Sequence, residues 1–279
     1  NSFAIGTYGL NADGSVNTSR PTKTSDTYSV AIGMGAQTSL KGDMAMGVNA
    51  TASGGYSTAI GYQPQSLGTY ATALGYMVQA NGPKSISIGA YYNYTGFRLI
   101  YDPITRRFRL IPYNVTKFNI ANDEFSIAIG NGNTASKGGM AFGTNNSSLA
   151  FGSTTLGINN RADSAYSVAI GSNAQAVGIN AIALGESVTA EASNSIVVGY
   201  NNITNSAYKR DEWEPTDPLF VVGNGGTGTP SNAMVVQKNG NTTIYGNLTV
   251  TGSISSWVGT GDNLGNHTAS QNIKLNNYW

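Results

Sequence analysis

Ser167-Val168-Ala169-Ile170-Gly171 sets two side-chain rows against each other: on an extended chain Val168 and Ile170 share one face, and Ser167, Ala169 and Gly171 share the other. The pattern recurs as Ser29-Val30-Ala31-Ile32-Gly33. Its small–apolar–glycine core continues as Ala45-Met46-Gly47, Ala59-Ile60-Gly61, Ala73-Leu74-Gly75 and Ser87-Ile88-Gly89, with successive glycines 14 residues apart. The phase returns at Ala128-Ile129-Gly130, Ala141-Phe142-Gly143, Ala169-Ile170-Gly171, Ala183-Leu184-Gly185 and Val197-Val198-Gly199. A second signature lies between these glycines: Ala50 and Ala52 precede Gly54, Ser66 precedes Gly68, Ala80 precedes Gly82, and Ala174 and Ala176 precede Gly178. Each repeat therefore holds two short segments ending at glycine-marked turns, where a missing Cβ makes φ > 0 accessible. A 14-residue period is too short for two helices and a turn, but it suits two strands of about five residues with two corners.

Coils of this kind stack into a parallel β-solenoid, an all-β fold in which each turn adds one strand spacing. Roughly a dozen coils predict a rod on the order of 60 Å long. Val30, Ile32, Ile60, Ile86, Ile88, Val168 and Ile170 are expected to fill the coil interior. The opposite face then carries a stripe of Ala31, Ala45, Ala59, Ala73, Ala128, Ala141, Ala169 and Ala183. Such a stripe is uncharged and flat, and it would let the backbone of a partner chain approach, so the pattern predicts an oligomer, the alternative being a dry seam within a single solenoid.

Composition supports a fibre over ordinary globular domains. Of 279 residues only 10% are charged, 36 are glycine, none is cysteine, one is histidine, and the formal net charge is +1. Glycine does not fall at every third position, which excludes collagen. Regularly spaced Ile, Val and Leu at low charge are unlike disorder. The near-neutral charge offers no field for nucleic acid. No apolar stretch approaches the roughly 20 residues that span a bilayer, so no membrane insertion is expected in this segment. Disulfides and thiolate metal sites need cysteine, which is absent from the chain. The sequence, beginning at Asn1, reads as a piece of a longer protein whose anchor or export signal lies elsewhere.

The repeats resemble the YadA-like head of trimeric autotransporter adhesins. The resemblance rests on Ser29 to Gly33, Ser167 to Gly171 and the Ala-x-Ala-x-x-Gly halves between the glycines, and it spans about Ser29 to Gly199 less an insertion. It implies a left-handed parallel β-roll, three chains about one axis, and adhesion. Two departures are a phase slip between Gly130 and Gly143 and Pro64 in place of the usual alanine. The tail is similar to phage and bacterial fibre proteins, through Leu219 to Gly225 and Asn232 to Asn241. Gly265 to Asn272, with Leu275, Asn276 and Trp279, is similar to the segment preceding an endosialidase-type intramolecular chaperone.

Four regions follow: an N-terminal coil segment 1–28, a β-roll head 29–200 with an insertion 90–124, a charged connector 201–218 acting as a neck, and a C-terminal trimeric stalk 219–279. In the stalk Ile244, Gly246, Leu248, Val250, Gly252 and Ile254 alternate with polar residues. A lone strand with one apolar face demands a partner, so an intertwined β-prism of three chains is expected. In the insertion, Phe97 to Tyr101 and Arg107 to Ile111 flank Asp102-Pro103-Ile104-Thr105-Arg106, which reads as a β-hairpin. Insertions in solenoids map to loops on one face, often the binding face.

Recognition is therefore assigned to Tyr91, Tyr92, Tyr94, Phe97, Arg98, Tyr101, Arg106, Arg107 and Arg109. Tyrosine offers a stiff apolar face with a polar tip, and arginine offers forked donors for carboxylates, as in acidic glycans. No catalytic, metal or cofactor site is assigned. His267 sits in an Asn/Gly/Thr-rich turn without a partner, and Asp211, Glu212, Glu214 and Asp217 read with Lys209 and Arg210 as a salt-bridged connector. Gly223-Asn224-Gly225-Gly226 lacks the lysine and helix of a phosphate loop. The expected function is a non-enzymatic, homotrimeric attachment fibre, either a phage-type tail fibre or a bacterial surface adhesin. It would be extracellular, on a virion or a cell surface, and would bind a receptor or glycan. The alternative is a structural filament or spacer subunit.

Overall fold

A computed structural model describes residues 1–102, 107–249 and 251, with side chains at 92–116 outside the description. Every regular element among the described residues is a β-strand. Residues 1–245 form one compact unit. Its two main sheets hold 15 and 11 strands in sequential spatial order, giving a parallel solenoid of about eleven turns. At one strand spacing per turn the stack is roughly 50 Å long. Each coil gives a strand of three to five residues to the larger sheet, such as Val168–Ser172, and two or three residues to the smaller, such as Gln175–Ala176. Neighbours stack like on like: Val168 on Ile182, Ala169 on Ala183, Ile170 on Leu184 and Gly171 on Gly185.

The two strand faces are the reverse of the expectation. Ala31, Ala45, Ala59, Ala73, Ala128, Ala141, Ala169 and Ala183 are all fully buried inside the coil. They meet Ala52, Ala80, Ala121, Ala135, Ala162, Ala176 and Ala190, equally buried, from the facing strands. The large apolar residues point outward: Val30, Ile32, Val168 and Ile170 are half-buried, and Met44, Ile60, Leu156 and Ile196 are exposed. The reason is the width of the coil. A 14-residue turn with two short strands brings its walls so close that alanine and serine fill the space at interior density. The alanine stripe is therefore the core, and the Ile/Val/Leu/Met columns are the unpartnered face.

Glycine also has a role the turn argument did not supply. The corners at φ > 0 are mostly not glycine: Asn49, Gln63, Met77, Asn145, Asn159, Asn173 and Ser187 turn one corner, and Tyr28, Tyr56, Tyr70, Lys84, Phe125, Tyr166, Asn180 and Asn194 turn the other. The motif glycines stack above one another instead. From Gly33 to Gly199 they hold φ between 107° and 141°, and a Cβ on any of them would overlap the carbonyl oxygen of the next motif glycine. Gly54, Gly68 and Gly82 show the same crowding without a positive φ, so close approach alone selects them.

Between the walls of the middle coils runs a ladder of buried asparagines, Asn119, Asn133, Asn146 and Asn160. Each Oδ1 accepts the backbone N–H of the next coil: Asn133 N to Asn119 at 3.1 Å, and Asn146 N to Asn133, Asn160 N to Asn146 and Ala174 N to Asn160 at 2.9 Å. Each Nδ2 from Asn133 onward donates to two carbonyls, as Asn146 does to Phe142 (2.8 Å) and Gly157 (2.7 Å). Elsewhere Ala36, Ala50, Pro64, Val78, Ala174 and Val188 occupy this position and fill it with apolar volume. Asn146→Ala is expected to lose about 2 kcal/mol, because it leaves buried donors and acceptors without partners. A thermal melt checks this.

The solenoid absorbs both irregularities. The phase slip falls in the corner Ser136 to Gly139, where Lys137 and Gly138 both adopt φ > 0 and the strand register continues unbroken from Ile127–Asn131 to Met140–Thr144. Across the insertion, Ile86–Ala90 still pairs with Ile127–Asn131. Residues 90–124 include Asn119–Ala121, a coil strand paired with Val78–Ala80, so the excursion itself is shorter than that range.

Beyond the coil strand Ile196–Tyr200 the larger sheet continues. Ile196–Tyr200 pairs in parallel with Pro218–Asn224, spanning residues 201–217. Asn232–Gln237 and Thr242–Ile244 then add antiparallel strands. Of the alternating tail, Val250, Gly252 and Ile254 lie outside the described residues, as do His267 and the rest of the segment from Gly265 to Trp279.

Candidate functional site

The insertion is a hairpin. Tyr92–Asp102 and Arg107–Lys117 pair antiparallel, from Tyr92 opposite Lys117 to Asp102 opposite Arg107, with Tyr94 opposite Val115, Phe97 opposite Pro112, Arg98 opposite Ile111, Ile100 opposite Arg109 and Tyr101 opposite Phe108. The hairpin leaves the solenoid at a corner, between the strands Ile86–Ala90 and Asn119–Ala121. Both roots are tied to coils. Tyr91 stacks on Tyr76 at 5.3 Å, and Tyr76 on Tyr62 at 4.9 Å, while Tyr91 N donates to Tyr76 O at 3.2 Å. On the other side Lys117 Nζ donates to Asn145 Oδ1 at 2.6 Å, and Asn145 Nδ2 donates to Asn159 Oδ1 at 2.6 Å. Of the nine assigned residues, Tyr91 thus belongs to a tyrosine stack on the solenoid. Tyr92, Tyr94, Phe97, Arg98, Tyr101, Arg107 and Arg109 are placed by backbone register, with their side chains outside the description, and Arg106 lies outside the described residues.

The charged connector is built into the solenoid. Ser193 N donates to Lys209 O at 2.8 Å and Ile179 N to Arg210 O at 2.7 Å, so its backbone lies along the coil corners. Asp217 is buried; its Oδ2 accepts Lys209 N at 2.8 Å and lies 3.9 Å from Lys238 Nζ. Lys238 Nζ also donates to Ser193 Oγ at 3.1 Å and sits 5.1 Å from the Trp213 ring centroid. Burial pushes the Lys238 ammonium below its ordinary range, against the opposing pull of Asp217 and Glu214. The cluster joins connector, coil and the turn after Asn232–Gln237. Asp43, the other buried carboxylate, accepts hydrogen bonds from Leu40 N (2.8 Å), Gly55 N (2.9 Å), Ser57 N (3.0 Å) and Ser57 Oγ (2.8 Å). Both carboxylates are occupied in holding backbone in place.

One surface was missed in the sequence. Exposed aromatics recur along the corner before the long strands: Tyr28, Tyr56, Tyr70, Phe125 and Tyr166 at the turning position, with Phe151 one residue before it. Tyr56 and Tyr70 stack at 5.5 Å, Phe151 meets Tyr166 edge-on at 5.6 Å, and Lys84 Nζ lies 4.5 Å from the Phe125 ring centroid. The signal was present, since Tyr56 and Tyr70 stand 14 apart and Tyr28 two repeats before Tyr56. Following the glycines alone left it unread.

The fold defines a parallel β-solenoid with an alanine-filled coil, a hairpin on one corner and a large apolar face on the outside. Four segments, residues 41–63, 66–91, 149–174 and 176–202, match the YadA head domain repeat. These segments are similar to the YadA head repeat, and the parallel solenoid of about eleven turns is consistent with a YadA-like β-roll head. The hairpin and everything beyond residue 202 lie outside the matched segments. No curated protein matches the chain.

Proposed function

We propose that the chain is one subunit of a homotrimeric, non-enzymatic attachment fibre that binds a cell-surface receptor through the hairpin. The observation that carries this is the inside-out coil. Eleven turns bury alanine and other small residues and leave outward one column of Ile, Met, Leu, Phe and Val beside a second of Val, Met, Ile and Thr, an extended apolar face of the kind that marks contact with another chain. Like-on-like stacking makes that face uniform along the axis, which suits identical copies packing about an axis parallel to it, and trimers are the general state of YadA-like heads. The fibre is placed outside the cell, on a bacterial surface or a virion tail.

A structural spacer polymerising end to end is less well supported. The C-terminal end of the smaller sheet is covered: Thr189 N donates to Asn202 Oδ1 at 2.7 Å, and residues 205–217 lie over the final corners. Among the described residues, the edge of Thr189–Ala190 is thus partly occupied, which leaves less of it for another copy to extend.

Tyrosine and arginine, concentrated in the hairpin, are the residue types that most often dominate binding energy, and three copies would combine weak contacts by avidity. Replacing residues 92–117 by a short turn is the test. Light scattering is expected to give three times the 29.0 kDa chain mass for the parent, and three times its own smaller chain mass for the deletion. Binding to target cells is expected to fall by about a hundredfold with loss of three-copy avidity. A well-folded monomer would remove the trimer, and full binding by an intact deleted trimer would remove the hairpin from recognition.

A further inference from the structure

We propose that the aromatic corner column from Tyr28 to Tyr166 is a second binding surface, separate from the hairpin, for an extended uncharged polysaccharide lying along the solenoid axis. The corner itself does not require aromatic residues. The equivalent position is filled by Gly42, Gly138, Gly152, Asn180 and Asn194 at φ between 55° and 72°, and by Lys84 at 54°. Glycine and asparagine adopt that region readily, and bulky side chains do not. Yet Tyr28, Tyr56, Tyr70, Phe125 and Tyr166 hold φ between 53° and 59°. Burial does not compensate them, because Tyr56 remains 48% exposed and Tyr28 66%. Backbone strain at exposed rings, repeated along one edge where strain-free residues serve the fold equally well, points to a use outside folding.

The rings are held in place before any ligand arrives. The Tyr56 ring lies across Gly42, close enough that a Cβ there would strike it, and the Tyr166 ring lies across Gly152 in the same way. Tyr56 and Tyr70 stack within 13° of parallel. Coils advance by about 4.8 Å, close to the advance of one sugar in an extended chain. A polysaccharide can therefore meet the aromatic turns, which recur one to three coils apart, at whole-sugar spacings. Aromatic faces suit the apolar faces of sugar rings, and the phenolic hydroxyls and lysine ammoniums supply hydrogen bonds.

Charge selects the class of glycan. Lys84 pairs with Glu124 at 3.1 Å and Asp163 with Arg161 at 2.5 Å. Lys41 Nζ lies 5.5 Å from the Tyr28 ring centroid, and Asp123 Oδ2 accepts Lys137 N at 2.8 Å, so lysines and carboxylates are interspersed in the corner segments. The column is near neutral along its length, which favours an uncharged chain over nucleic acid or an acidic polymer. A second copy of this chain has a larger apolar face on the long-strand sheet and does not need the corner.

The test uses the full chain carrying Tyr56→Asn, Tyr70→Asn and Tyr166→Asn together. Asparagine already turns this corner at Asn180 and Asn194, so melting temperature is expected to hold or rise, with the oligomer mass unchanged. The probe is native electrophoresis through gels containing a soluble glucan, galactan or mannan, with polygalacturonate as the charged arm. The parent and the hairpin-deleted protein are expected to be retarded by at least one neutral polymer, and the triple variant to bind it at least about tenfold more weakly. Four results overturn the proposal: no retardation of the parent by any neutral polymer, retardation by polygalacturonate alone, unchanged retardation of the triple variant, or loss of retardation on hairpin deletion. A triple variant that loses its oligomer mass also overturns it and assigns the column to contact between copies.

Discussion

Gly171→Ala is expected to destabilise the solenoid by more than about 3 kcal/mol, although it adds a single methyl group. Gly171 sits at φ 130°, and its added Cβ would overlap the carbonyl oxygen of Gly185 in the next coil. Backbone cannot give way there without opening the strand ladder, because Gly185 is crowded by Gly199 in turn. Two controls separate the causes. Gly55→Ala keeps a positive φ of 83° but meets nothing closer than Leu40 Cβ at 3.9 Å, so it carries backbone strain alone, about 1 kcal/mol. Gly54→Ala has no positive φ yet would overlap the Gly68 carbonyl, so it carries the clash alone. Thermal melts should rank Gly54→Ala and Gly171→Ala well below Gly55→Ala. Equal melting of all three would mean that coil spacing adapts freely, and the close-approach account would fail.

Ala169→Glu and Ile170→Glu differ by one position and are expected to fail in different ways. Ala169 is fully buried in the coil, facing buried alanines of the second sheet. A glutamate there places an unpaired carboxylate, and several atoms too many, in a dry and narrow interior. The expected loss is about 4 kcal/mol or more, with the coils around it unfolded. Ile170 is half-buried on the outward face, so a glutamate there keeps the coil and, in the proposed trimer, puts like charges together between copies. Circular dichroism should report lost strand signal for Ala169→Glu and retained signal for Ile170→Glu, with light scattering showing a smaller particle for the latter. Lost strand signal in Ile170→Glu with an intact Ala169→Glu protein would restore the alanine stripe to the outside.

The hairpin was legible because its turn is coded locally: Asp102-Pro103 lies between two apolar runs, and antiparallel pairing joins chain neighbours. Its recognition role was read from residue type alone, and the backbone register neither adds to nor removes that reading. The aromatic column was not legible in the same way. Tyr28, Tyr56, Tyr70, Phe125 and Tyr166 are separated by one to several repeats, and only stacking of coils brings them onto one edge.

By itself the sequence determined the coil. A 14-residue period with glycine in constant phase admits in-register parallel stacking and little else, because the period sets how much chain one turn contains and the missing Cβ sets how closely turns approach. Period-two alternation also determined that alanine and the large aliphatics lie on opposite faces. Which face turns inward was decided by the tertiary structure. Alternation is symmetric in the two faces, and ordinary hydrophobicity favours burying isoleucine over alanine. The distance between the walls of the closed coil reverses that preference, because it leaves room for a methyl group and not for a sec-butyl one. Alanine therefore forms the core, and isoleucine, valine and leucine are left on the outside of the coil.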